Sequence, residues 1–313
     1  MLRRDIALAA QAACCLEVAA PKVGNVNRHH DFPDCTLEDF LLSAAAIAWV
    51  LAKIESCSVG RAVLACVEAT RAWVPVNTNL GIVLLFAPLA RAWAEWAPGE
   101  RCADPCRMGL EVPESLRRTL ARILTDLGRE DAGHVYRAIR LASPGGLGKA
   151  DTHDVSQTER PEITLLEAMK LAAERDLVAG EYANGFALTL DEALPALDRA
   201  LRRGLPLPEA VADAHVYLLA RAGDTLIARK KGREASGEAS LRARAVGAAG
   251  GWGTPAGREQ AAELDRWLRG GGGLGLLNPG STADIVTAAL FLAFLLQGPG
   301  WWKEVRPGRR GVA

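Results

Sequence analysis

The sequence predicts an all-α protein: a single compact domain of about a dozen helices whose polar loops gather at one site. Three observations predict it. Apolar residues recur with helical period in nearly every segment, and strand patterns are scarce. Gly and Pro cluster between the periodic segments, where they act as punctuation. The chain has 313 residues and is 50% hydrophobic. A chain of that size buries roughly three quarters of its unfolded surface and needs no disulfide or metal for stability. No disordered linker or internal repeat divides it, so residues 1–300 read as one domain and 301–313 as a C-terminal tail.

The elements follow in order. Residues 5–20 are helical and end at Pro21, which cannot continue the helix. Their Ala-rich run resembles a secretion signal only weakly, because Gln11 and Glu17 interrupt it, so it reads as a domain helix. A polar loop carrying Lys22, Asn25, Asn27, Arg28, His29 and His30 comes next. Thr36 with Asp39 forms a capping box for a helix over 37–54, and Ser58 starts another that runs to about Trp73. Pro75 breaks it, and Asn77-Thr78-Asn79-Leu80-Gly81 leads into an apolar helix over 82–96. Residues 97–112 read as a loop. Pro113 opens a helix ending at Gly128, and Asp131 starts one that reaches about Ala142. A Gly-rich loop follows, with Gly145, Gly146 and Gly148 and the acids Asp151 and Asp154. Residues 164–190 make one or two helices, and Pro206 and Pro208 introduce another through Ala222. Residues 223–232 hold Asp224 with Arg229, Lys230 and Lys231. Two more helices cover 236–249 and 255–268, the second with Thr254 as N-cap and Pro255 at its first position.

The last long element, 276–296, is a loop that turns into an almost wholly apolar helix. Its apolar run of about a dozen residues falls short of the 18–20 that a membrane span needs, so it reads as a buried core helix. Ser281 is the expected N-cap, and Asp284 stands three residues on, close to a capping box. The bare N–H groups and positive dipole end favour an anion, typically a phosphate. Asp284 either caps this helix or holds a metal that bridges to phosphate.

Charge and cysteine usage exclude several classes. Lys+Arg and Asp+Glu number 37 each, so the net charge is zero. That leaves no field for nucleic acid or an anionic membrane as partner. Seven cysteines include adjacent Cys14-Cys15 and the pair Cys102 and Cys106, but no second pair completes a zinc pattern. Reduced thiols in a cytoplasmic protein are the expectation. Trp93, Trp96, Trp301 and Trp302 are candidates for an interface in a homodimer, with core packing as the alternative.

Four polar clusters recur at helix junctions. Glu17 stands among apolar neighbours near Lys22, Asn25, Asn27 and Arg28, and a buried carboxylate is costly unless paired. It is either a structural ion pair or an active-site acid. Asn77, Thr78 and Asn79 are ordinary N-cap residues, and they equally suit recognition of a sugar or base. Asp224 ahead of three cations fits a metal–polyphosphate site or a solvated basic face. Ser281 and Asp284 are the fourth cluster. No P-loop, nucleophile elbow or dinucleotide fingerprint is present.

In that order, four stretches resemble the triphosphoribosyl-dephospho-CoA synthases. They are Leu16-Glu17-Val18 with Pro21 to Arg28, Asn77 to Gly81, Gly223-Asp224-Thr225 with Arg229, and Asn278 to Asp284. The resemblance spans almost the whole chain. It implies an all-helical, Mg2+-dependent transferase that takes ATP as substrate, releases adenine and joins the triphosphoribosyl group to the 2′-hydroxyl of 3′-dephospho-CoA. Asn27 stands where the family pattern has an acid, and Asn79 and Leu80 replace its His and Lys. These departures resemble a subgroup associated with tetrahydromethanopterin biosynthesis, which makes a pterin-like acceptor the alternative to a CoA-like one. A non-catalytic helical nucleotide-binding protein and a structural scaffold are the readings from other classes.

The resemblance carries roles onto these residues. Asp224 and Asp284 would position Mg2+ or face the ribosyl centre, and Glu17 would be a further acid. Lys22, Arg28 and Arg229 would neutralise phosphates, with Ser281 at the helix start. Asn77, Thr78 and Asn79 would bind ribose or adenine.

Overall fold

The computed structural model describes residues 2–100, 110–145, 155, 161–303 and 305. Among them are fourteen α-helices and no strand, only two isolated bridges at Asn27–His30 and Phe32–Cys35. The first six helices are α1 (Leu2–Ala19), α2 (Leu37–Leu51), α3 (Val59–Arg71), α4 (Leu80–Glu100), α5 (Glu114–Asp126) and α6 (Arg129–Ala142). Next come α7 (Leu165–Ala172), α8 (Leu177–Ala183), α9 (Leu194–Arg202) and α10 (Leu207–Ala222). The last four are α11 (Thr225–Lys231), α12 (Arg233–Ala248), α13 (Pro255–Arg266) and α14 (Gly280–Gln297).

The core is organised around α14, which packs on α1, α4, α8, α9, α10 and α11. Every residue from Ile285 to Leu295 is buried. Such a helix has no polar face, so neighbours must surround it. Phe291 stacks on Phe86 of α4 with ring centroids 4.3 Å apart. By length and composition both α4 and α14 are apolar enough to cross a membrane, α14 being longer than its apolar run suggested. In each, 78% of that window is buried inside the protein, so the apolar surface is spent on the core.

Local chemistry explains most boundaries. Ser58 caps α3 by accepting from Arg61 N, and Thr254 caps α13 by accepting from Gly257 N. Thr36 with Asp39 closes the expected capping box on α2. Elsewhere tertiary contacts override the pattern. Residues 164–190 split into α7, α8 and the start of a π-helical stretch, Leu188–Ala193, before α9, which the sequence reading did not anticipate. The buried Glu181 carboxylate holds that stretch by accepting from Leu188 N at 2.9 Å and Thr189 N at 2.8 Å. Residues 223–232, singled out as a polar cluster and not assigned to a helix, contain helix α11.

Three expectations are corrected or bounded. Helix α14 begins at Gly280 with Pro279 at the cap position, so Ser281 is not its N-cap. The Ser281 hydroxyl instead accepts from Thr225 Oγ1 at 3.0 Å. The tryptophans offered for an interface pack within the chain: Trp93 and Trp301 are buried, Trp96 Nε1 donates to Ser115 Oγ, and Trp302 meets Phe294 edge-on. Cys102, Cys106, Asp151, His153, Asp154, most of the loop 97–112 and residues 306–313 of the expected tail lie outside the described residues.

Candidate active site

Residues distant in sequence converge where α14 begins. A cleft of about 740 Å³ opens there, its lining including Arg71, Arg175, Arg229, Lys230 and Lys231, with Asp34 and Asp176 among them. Below it lies an inner pocket of about 120 Å³, lined by Glu17, Lys22, Asn25, Asn77, Thr78, Asn79, Asp284 and Thr287. Phe32, Phe40, Asn77, Leu80, Gly81 and Asn278 border both and form the neck between them. The outer cleft is within the size range of ligand sites, and the inner pocket holds one ring-sized group.

The inner pocket is acid-rich. Glu17, at the end of α1, lies 3.2 Å from Lys22 Nζ, and both are almost fully buried. Burial pushes the Glu17 carboxyl up and the Lys22 ammonium down, and each charge opposes the shift of the other. Asp284 is half-buried in the first turns of α14 and makes no hydrogen bond or ion pair among the described residues. Burial drives its carboxyl well above the usual range, and the charges of Glu17, Asp224 and Asp176 push it further. Space beside it exists because α4 carries Gly81: a Cβ there would stand 2.0 Å from Asp284 Oδ2.

The loop over 22–30 is clamped in place. Arg269 Nη2 donates to Asn25 O at 2.7 Å, and Gly24 N donates to Asp265 Oδ1 at 2.7 Å. Gly24 has φ of +68°, and a Cβ would strike Leu268 and Pro279 at 2.9 Å, so only glycine fits. Asn27 Nδ2 donates to Lys22 O, and its Oδ1 accepts from His29 N. Asn25 Nδ2 donates to Asn278 Oδ1 at 2.5 Å.

The residues singled out from the sequence divide into two groups. Glu17, Lys22, Asn77, Thr78, Asn79 and Asp284 line the inner pocket, and Asn77, Arg229 and Ser281 line the outer cleft. Two of these also serve the scaffold: Thr78 Oγ1 bonds Ser43 Oγ, and Asn79 Nδ2 donates to Thr70 Oγ1. Asn77 Oδ1 accepts from Leu80 N at the start of α4.

Asp224 and Arg28 stand elsewhere. Asp224 lines neither cavity. Its Oδ1 accepts from Leu226 N and Ile227 N, and its Oδ2 from Thr282 N and Thr282 Oγ1. It caps α11 and clasps α14, with both oxygens occupied. Arg28 is exposed and donates from Nε to Ala19 O at 2.6 Å, closing the end of α1.

Two residues that the sequence reading passed over stand at or beneath the site: Asp176 lines the outer cleft, and His215 lines neither cavity but supports the start of α14. Asp176 caps α8 through Oδ1 and pairs with Arg229 through Oδ2. An acid after a Glu-Arg pair and before an apolar run was its one sequence signal. His215 of α10 lies fully buried under the start of α14, with Nε2 3.2 Å from Pro279 O and 3.3 Å from Thr282 Oγ1. Burial, reinforced by the Lys22 charge, pushes it down to about 3 and keeps the imidazole neutral. Nothing local in its helix marks it.

Fold and site together define a class: a single-domain, all-helical protein in which a basic cleft opens onto an acid-lined pocket. The family model for CitG, ATP:dephospho-CoA triphosphoribosyl transferase, matches residues 3–303. The chain belongs to that family. A Pseudomonas paraeruginosa protein named as a 2-(5''-triphosphoribosyl)-3'-dephosphocoenzyme-A synthase is 36% identical over 119 residues, covering 38% of this chain and 39% of that one. The match thus spans about two fifths of that relative's length. An Azotobacter vinelandii protein of the same name is 29% identical over 240 residues, covering 65% of this chain and 76% of that one. A crystal structure of an Archaeoglobus fulgidus protein named as a triphosphoribosyl-dephospho-CoA synthase superposes with a TM-score of 0.59 at 26% identity. It covers 83% of this chain and 98% of that one.

Proposed function

We propose that this chain transfers the triphosphoribosyl group of ATP to the 2′-hydroxyl of 3′-dephospho-CoA and releases adenine. Family membership supports the reaction, and one observation carries the site: the unpartnered Asp284 carboxylate in the inner pocket, which shares its neck with the basic cleft. In the transfer the C1′–N9 bond breaks and its electron pair leaves with adenine, which takes up a proton. The acceptor oxygen forms the new bond to C1′ and gives up a proton. Positive charge builds on the ribosyl carbon between these events, so a carboxylate fixed beside it lowers the barrier.

The residues take their roles by position. Arg229, Lys230 and Lys231 from α11, together with Arg71 and Arg175, bind the triphosphate in the outer cleft. Asp284 faces the ribosyl carbon. Glu17, whose burial favours the protonated form, handles the proton that adenine takes up. Asp224 holds the start of α14 in place and touches no substrate.

Magnesium fits this donor set. The described residues hold no cluster of three metal-binding side chains, whereas Mg2+ needs only one or two carboxylates beside water and substrate phosphates. Asp284 would hold it, with Asp176 beside the same phosphates. It would neutralise charge on the triphosphate.

The test is adenine release from ATP by the full chain, assayed with dephospho-CoA, with a pterin acceptor and with neither, in the presence and absence of a chelator. Release that requires dephospho-CoA is expected, and it stops when magnesium is chelated. Release with the pterin alone would replace the acceptor, and ATP binding without any release would sink the transferase reading.

A further inference from the structure

The inner pocket has features that binding a triphosphate does not use. Asn25 is 6% exposed and Glu17 3%, and both line the pocket; Asn25 Oδ1 has no hydrogen-bond partner, and Glu17 Oε1 faces only the Lys22 ammonium at 3.2 Å. The Asn25 amide nitrogen is committed to Asn278 Oδ1, which fixes its oxygen as an acceptor. A buried acceptor left unmet costs about 1–3 kcal/mol, so Asn25 Oδ1 in this small pocket points to a ligand that brings an N–H or O–H donor. Lys22 is the one cation among the pocket's lining residues, and Glu17 already faces its charge at 3.2 Å. The pocket therefore offers phosphate no uncommitted cation. Its neck carries Phe32 and Phe40, which suit a flat aromatic ring better than a sugar.

We propose that this pocket holds the departing purine base and selects it by its 6-amino group, while the phosphates remain in the outer cleft. The proposal rests on the transferase reading for which base departs, and on the pocket itself for how it is recognised. Asn25 Oδ1 and Glu17 Oε1 accept from the amino group, and the Lys22 ammonium donates to a ring nitrogen. A 6-oxo purine would set its own acceptor against theirs, a mismatch that sites built for hydrogen-bonding reject strongly. The assignment moves base recognition from Asn77 and Asn79, whose side chains serve the scaffold, to Asn25 and Glu17.

The experiment is calorimetric titration of the full chain with free adenine and with hypoxanthine, each with and without saturating inorganic tripolyphosphate. Adenine is expected to bind at least about 10-fold more tightly than hypoxanthine, the factor one satisfied hydrogen bond supplies. Tripolyphosphate should leave adenine affinity unchanged. Asn25→Leu should erase the preference and leave tripolyphosphate affinity intact. Equal binding of the two bases by the unaltered chain, displacement of adenine by tripolyphosphate, or D-ribose binding in place of the base would each overturn the proposal. Those arms need no variant, so they stand even if Asn25→Leu does not fold. Adenine released from ATP without base preference would defeat the pocket assignment alone. Preference without release would defeat the transferase reading and leave the pocket.

Discussion

Asp224 and Asp284 both stand at the start of α14, yet the protein treats them in opposite ways. Asp224 accepts four hydrogen bonds and ties α11 to α14. Asp284, less than one turn beyond Thr282, accepts none among the described residues and lines the inner pocket beside Gly81. A carboxylate with every oxygen bonded adds to folding and has nothing left for a ligand. A carboxylate crowded by Glu17, Asp224 and Asp176 costs folding energy and keeps its reactivity. From sequence the two looked alike, each an acid within a few residues after a turn glycine and a candidate to hold metal beside phosphate.

The sharpest way to break this comparison is to remove each charge in turn. Asp284→Asn should lower adenine release by about 10²–10⁴-fold, while the melting temperature holds or rises because like-charge repulsion is relieved. Near wild-type turnover in that variant would remove Asp284 from the chemistry. Asp224→Ala should show the reverse pattern. Losing a cap and stranding buried donors should cost about 2–4 kcal/mol in urea unfolding, and activity should fall only as far as the start of α14 loosens. Unchanged stability would mean that the clasp does not hold the helix.

The smallest effect sharpens the comparison from below, at His215. Its pKa is about 3 in the folded chain, against about 6.5 when unfolded. The unfolded chain therefore binds the proton first as pH falls. The stability that neutral His215 supplies is complete above pH 6.5 and is lost as pH drops toward 3. Between pH 6.5 and pH 5 the loss should be about 2 kcal/mol. In His215→Gln that acid-side loss should shrink by the same amount, and an unchanged pH profile would show that the imidazole is not held neutral.

The helical class was legible because the signal is local. Period, caps and Pro placement fixed the starts of α2, α3 and α13 to the residue and their ends to within three residues. Where an element depends on a distant partner, the pattern failed. Ser281 looks like an N-cap until Thr225 takes its hydroxyl, and residues 223–232 stand as a polar cluster outside any helix until Asp224 caps α11. The site was legible in part for the same reason. Glu17, Lys22, Asn77 and Asp284 drew notice as polar residues at apolar junctions, whereas Asp176 and His215 matter only through what folding sets beside them.

The sequence by itself determined an all-helical chain, a core helix near its C-terminal end, and a set of polar stretches matching one enzyme family, because periodicity, caps and motif order are written along the chain. Only the tertiary structure decided which acid is free. Hydrogen-bond satisfaction is a property of what surrounds a carboxylate in space, and four donors reached Asp224 while Gly81 kept the ground beside Asp284 open.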